Sequence, residues 1–109
     1  PDGFVGATGL IEIKCPNTAT HLETLLGRTP AAEYVTQMQW QMACTGRAWC
    51  DFVSFDPRLP EHLRFFCHRV MRDAEVIASL ESEVRTFLAE IDDKLTRLAA
   101  LHESESIAA

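Results

Sequence analysis

The stretch Leu10-Ile11-Glu12-Ile13-Lys14 decides the fold. Two apolar residues lead into an alternation of charged and β-branched side chains, the period-2 pattern of a strand with one face turned to a polar environment. Gly6-Ala7-Thr8-Gly9 just before it is a turn signal. Residues 2–5 can therefore return antiparallel to residues 10–14 as a hairpin. Pro16 ends the second strand, because it has no N–H to give a neighbour.

Outward from this hairpin the chain alternates helix and strand signals. Residues 19–27 suggest a short helix closing at Gly27. Thr29-Pro30 offers a capping hydroxyl followed by proline at the first helical position, which predicts a helix from Pro30 to Thr45 stopped by Gly46. Residues 48–55 and 63–70 read as strands, the first ended by Asp56-Pro57. Asp73 then caps a long helix in which Val76, Ile77, Leu80, Val84, Phe87, Leu88, Ile91, Leu95 and Leu98 recur at helical spacing. That stripe reads as core, with docking of a partner helix as the lesser reading. The helix is expected to end near Leu101, with a frayed tail. The order predicts an α/β domain, a mixed β-sheet flanked by helices.

The chain has 109 residues, room for one modest domain. No run approaches a membrane span and no signal peptide is visible. The absent initiator Met and the immediate start of chemistry-bearing residues suggest part of a longer protein. Cys15, Cys44, Cys50 and Cys67 form no C-x-x-C pair and read as buried, inert thiols in a reducing cytoplasm. His21, His62, His68 and His102 are too scattered to suggest a metal site, and His68 fits a strand face. Trp40 and Trp49 read as core. Asp56-Pro57-Arg58 is a turn by its chemistry, favouring a structural salt bridge or subunit contact over catalysis. The net charge of −6 counts against nucleic-acid binding, which draws most of its affinity from phosphate contacts. Much of that acidity, however, sits in Glu81, Glu83, Glu90, Asp92, Asp93, Glu103 and Glu105, which can face away from a bound polyanion.

The chemistry points back to the hairpin. Glu12 and Lys14 share one strand face, and a turn at 6–9 can bring Asp2 beside Glu12. Two close carboxylates repel unless a cation lies between them. Mg²⁺ suits hard oxygen ligands, and the Ile13 carbonyl can add one more. Lys14 is then placed to orient a water. The same spacing also describes an ordinary solvated strand face, and the residues alone leave both readings open.

Pro1-Asp2 followed by Glu12-Ile13-Lys14 resembles the PD-(D/E)xK nuclease motif. With Tyr34-Val-Thr-Gln37-Met-Gln39 on the next helix and Trp49-Cys-Asp-Phe-Val-Ser-Phe-Asp56-Pro57-Arg58 beyond it, residues 1–70 resemble the lambda exonuclease and YqaJ-type viral recombinase family. The resemblance implies part of a restriction-endonuclease-like core, with Asp2, Glu12 and the Ile13 carbonyl holding Mg²⁺ (Mn²⁺ able to substitute) and Lys14 assisting the attacking water. It places Tyr34 and Gln37 near the site. Helical spacing puts those two on one face, which equally suits packing or surface polarity. The activity implied is 5′→3′ degradation of one strand of linear double-stranded DNA, by a homotrimer cooperating with a single-strand annealing protein. The family's upstream region, with a further acidic residue and contacts to the 5′-phosphate, lies outside this sequence. The alternatives are another PD-(D/E)xK nuclease, RecB-like or restriction-type, and a non-catalytic α/β interaction module.

Overall fold

Two parallel strands at the centre of a four-stranded sheet organise the chain. In a computed structural model, which describes residues 1–108, strands β1 (Gly3–Val5), β2 (Gly9–Lys14), β3 (Trp49–Phe55) and β4 (Phe65–Met71) lie in the order β1-β2-β3-β4. β1 pairs antiparallel with β2, β2 parallel with β3, and β3 antiparallel with β4. A parallel pair needs a long crossover. Helices α1 (Thr18–Gly27) and α2 (Ala32–Thr45) supply it. The mixed sheet with helices is the α/β architecture expected from the sequence.

The core lies where α2 meets the sheet. Leu10 of β2, Cys50 and Phe52 of β3, Phe66 and Val70 of β4, and Met38 and Met42 of α2 are buried together, with Leu25, Tyr34 and Val35 packed against them. Leu10 faces Cys50 across β2–β3, and Cys50 faces Val70 across β3–β4. Each fully buried large apolar side chain here contributes about 1.5–3 kcal/mol. The helix is also tied by polar bonds. Gln39 donates from Nε2 to the Met71 carbonyl at 2.9 Å and accepts from the Asp73 N–H at 2.9 Å. Arg72 donates to the carbonyls of Met42 at 2.7 Å and Arg47 at 3.0 Å, tying the end of α2 and the residue beyond its Gly46 cap to the end of β4.

α1 is fixed by two buried polar groups that the sequence did not single out for this task. His21 is fully buried, with Nε2 2.7 Å from the Leu63 carbonyl and Nδ1 2.7 Å from Ser54 Oγ. A carbonyl can only accept, so Nε2 carries the proton and Nδ1 takes the Ser54 hydroxyl. Asp56 is also fully buried. Its carboxylate accepts from Thr18 Oγ1 at 2.6 Å, Arg58 Nε at 2.8 Å and Arg58 N at 3.0 Å, while Arg58 Nη2 reaches the Pro16 carbonyl at 2.9 Å. The Asp56–Arg58 pair is thus the structural salt bridge expected from the turn.

Several expectations need correction. α2 starts at Ala32 with Ala31 as an uncapped N-cap, not at Pro30 with Thr29 as cap. Pro30 is buried ahead of the helix, and Ala31 is still extended. A single 3-10 turn, Glu61–Leu63, takes the start assigned to the fourth strand. Cys15, Cys44 and Cys67 are exposed and only Cys50 is buried, because three of the four fall on outward-facing positions. Burial pushes the Cys50 thiol up to about 11, so it is not a ready nucleophile. Trp40 is exposed rather than core.

Residues after Ala74 form a separate unit. Helix α3, Ala74–Ala108, passes the expected stop at Leu101, since its Ala- and Glu-bearing tail holds no glycine or proline. Phe87, Leu88, Leu95 and Leu98 of its stripe are exposed, not core. The side pairs Glu81–Arg85 and Asp93–Arg97 lie at i,i+4 spacing. No helix among the described residues is long and apolar enough to cross a membrane.

Two outcomes follow. A methyl group at Gly9 would run into the Trp49 indole, which is itself held by Thr8 Oγ1 and covered by Arg69. Gly9→Ala should lower unfolding free energy by about 1–3 kcal/mol in a urea titration; an unchanged midpoint would contradict the packing. The Arg58 guanidinium, with the Thr18 hydroxyl, holds the Asp56 carboxyl down from 3.8 to about 2. A depressed acid stabilises the fold above its unfolded value, and loses that contribution as pH falls through the folded one. Urea midpoints should therefore drop between pH 4 and pH 2, and Asp56→Asn should flatten that limb.

Candidate active site

The hairpin register decides what meets at the sheet edge. Gly3 pairs with Ile11, Phe4 with Leu10 and Val5 with Gly9, so the next step outward sets Asp2 against Glu12. The Asp2 N–H bonds the Ile11 carbonyl at 2.9 Å, which continues the ladder to that residue. Opposed residues of an antiparallel pair point to the same face. Asp2 turns its own carboxylate onto the backbone of β2, where Oδ2 accepts from the Ile13 N–H at 2.6 Å. What is seen of Ile13 is thus its N–H, orienting the acid at position 2.

Glu12 is 5% exposed, on the face of β2 that α2 covers. A carboxylate so far removed from water needs partners. Lys14 supplies one: its Nζ lies 3.1 Å from Glu12 Oε1, two residues along the same strand face. On the other oxygen, Gln41 Nε2 of α2 donates to Oε2 at 3.3 Å. Asp2, Glu12 and Lys14 therefore gather at one end of the β1–β2 pair.

Tyr34 frames the site from α2. Its ring stacks on Phe52 with centroids 5.6 Å apart, and Lys14 Nζ lies 5.2 Å from its centroid. The ring thereby limits where the ammonium can go. Gln37 is exposed and is not drawn into this network. One turn on, Gln41 is, and sequence reading missed it. The signal was present: Tyr34, Gln37 and Gln41 share one face at i, i+3 and i+4 steps. Gln39, also in the quoted stretch, faces β4 instead.

Among the described residues no group of three His, Cys, Asp or Glu side chains is placed to hold a metal ion. The oxygen donors available are the two carboxylates, main-chain carbonyls and the Gln41 amide oxygen, which is buried without a hydrogen-bond partner. Two hard anionic ligands with open positions suit an ion that keeps several waters, as Mg²⁺ does, and do not suit zinc.

This sheet and its helices match part of the fold of an alkaline exonuclease. The crystal structure of an alkaline exonuclease (LHK-Exo) from Laribacter hongkongensis matches with a TM-score of 0.86 at 59% sequence identity, over 92% of this chain and 53% of that one. The crystal structure of LHK-Exo in complex with dAMP matches with a TM-score of 0.87 at 59% identity, over 90% of this chain and 50% of the other. Residues 1–48 match the family model of the YqaJ-like viral recombinase domain. The chain is thus similar to the YqaJ-like viral recombinase domain and to an alkaline exonuclease. It spans about half the length of the solved relatives it matches. No protein with a curated description matches it.

The Tyr34 ring should matter through its faces. Tyr34→Phe should unfold at the parent's urea concentration, whereas Tyr34→Ala should lose about 2–3 kcal/mol, less than a fully buried aromatic. Equal losses in both variants would show that the hydroxyl, not the stack, holds the residue.

Proposed function

We propose that this chain carries the catalytic centre of a magnesium-dependent exonuclease that degrades one strand of linear double-stranded DNA from the 5′ end during recombination. The observation that carries the reading is the gathering of Asp2, Glu12 and Lys14 at one end of the β1–β2 pair. The match of residues 1–48 to the YqaJ-like viral recombinase domain and the likeness to an alkaline exonuclease support it. So does the crystallisation of that relative with dAMP, a mononucleotide of the kind stepwise cleavage releases.

Asp2 and Glu12, with the Ile13 carbonyl, are the proposed ligands of Mg²⁺, and Mn²⁺ can take its place. The bound ion supplies Lewis-acid chemistry, easing loss of a proton from water and offsetting charge on the scissile phosphate. The protein does the placing. The Ile13 N–H keeps the Asp2 carboxylate turned onto β2. Lys14, now beside Glu12, can donate to an incoming water or phosphate oxygen while Tyr34 confines its ammonium. Tyr34 and Gln37 line the approach from α2. In the whole protein we extend the proposal to a cytoplasmic homotrimer around DNA that works with a single-strand annealing protein, on the strength of the family.

The full-length protein tests the reading. With Mg²⁺ it should shorten linear duplex DNA and leave covalently closed circles intact. EDTA should abolish the reaction, and Lys14→Met should lower kcat by about 10²-fold or more while the fold is kept. Cleavage of closed circles at the same rate would exclude an exonuclease. Full activity in Lys14→Met would remove that residue from the chemistry.

A further inference from the structure

We infer that Gln41 is a positioning residue for the Glu12 carboxylate, with its amide oxygen kept free to accept a hydrogen bond from water ordered around a divalent cation. The inference rests on the proposed cation site and goes beyond it by adding a residue outside the ligand set.

The orientation of the amide is fixed by chemistry. An ionised carboxylate only accepts hydrogen bonds, so the NH₂ end of Gln41 must face Glu12 Oε2, as the 3.3 Å contact shows. The carbonyl end must then point elsewhere. It is buried, and it has no hydrogen-bond partner. Buried polar atoms are nearly always paired, and exceptions cluster where a water, ion or ligand completes the set. Rotating the amide would satisfy nothing, because it would set two oxygens against each other at Glu12. The missing partner must therefore be a donor. Lys14 does not supply it: its Nζ is turned to the other oxygen of Glu12 at 3.1 Å, and the Gln41 oxygen has no hydrogen-bond partner. A hydrated divalent ion brings donors that its protein ligands lack: the O–H groups of its waters. Gln41 thus reads as an outer partner that both steadies a ligand and receives a water, the arrangement by which groups beyond the ligands tune metal affinity.

Calorimetric titration of the chain with MnCl₂ tests this, alongside Gln41→Met, which keeps the length and removes both polar ends. Unfolding midpoints without the ion serve as the control for folding. Parent protein should bind Mn²⁺ saturably, and Gln41→Met should bind about 10-fold or more weakly. Gln41→Leu, which also removes both polar ends and suits a helix, should weaken binding to the same degree. It decides the matter should the methionine variant not fold. Parent-like affinity in either folded variant would overturn the role of Gln41 alone. Absence of saturable Mn²⁺ binding by the parent would overturn the cation site and this inference with it.

Discussion

The arrangement depends on a carboxylate held almost out of water. Glu12 sits on the helix-facing side of β2, where its neighbours Leu10 and Phe52 are core. Removing a charge from water is unfavourable by several kcal/mol unless nearby groups compensate. Here compensation comes from two directions. Lys14 lies on the same strand face, and Gln41 descends from α2. Each depends on a different piece of the fold, strand periodicity and helix docking, while hairpin register sets Asp2 opposite Glu12. A one-residue slip of β1 would turn Asp2 to the other face and separate the two acids. The hairpin turn is therefore as much part of the site as the acids themselves.

The sheet edge was readable because its determinants are local. The Gly-bounded turn, the alternation through Lys14 and the stop at Pro16 lie within one short stretch, and they sufficed to place Asp2 against Glu12. The two later strands and the C-terminal stop of α2 at Gly46 were legible for the same reason. The start of α2 was not. Thr29-Pro30 is a sound capping signal, but burial of Pro30 delays the helix to Ala32, and burial is a tertiary fact. The Ser54 contact of His21 and the Thr18 contact of Asp56 were hidden likewise, since the partners are 33 and 38 residues away in sequence, whereas the Asp56–Arg58 pair was legible in its turn. Gln41 was missed because its significance lies in which end of its amide is left over.

The apolar spacing of α3 marks the limit of pattern reading. Residues at i, i+3, i+4 and i+7 define a stripe whether or not anything covers it. Phe87, Leu88, Leu95 and Leu98 keep that periodicity yet remain open to solvent. Periodicity reports that a helix has two faces; it does not report which of them meets a partner. The acidic excess has a similar reading. The seven late acids lie on α3, away in sequence from the hairpin, so net charge describes the chain as a whole and not residues 1–74 alone.

Two buried carboxylates show how a structural acid differs from one with further work to do. Asp56 is saturated. Both oxygens accept short hydrogen bonds, the Arg58 guanidinium and the Thr18 hydroxyl hold it well below the ordinary carboxylate range, and its surroundings leave no unpaired atom. It closes the ends of β2, β3 and α1 together, and any added ligand would have to break a bond already made. Glu12 is held more loosely: one contact is at 3.3 Å, and the residue making it leaves a buried oxygen unpaired. Nearby, Asp2 spends one oxygen on a backbone N–H and is otherwise exposed. A site evolved only for stability would resemble Asp56. The incomplete bonding around Glu12 lowers the cost of admitting a cation and its waters, because their arrival makes bonds that the protein alone does not. On this physical ground, rather than on burial or charge alone, the hairpin edge stands apart as the place for chemistry.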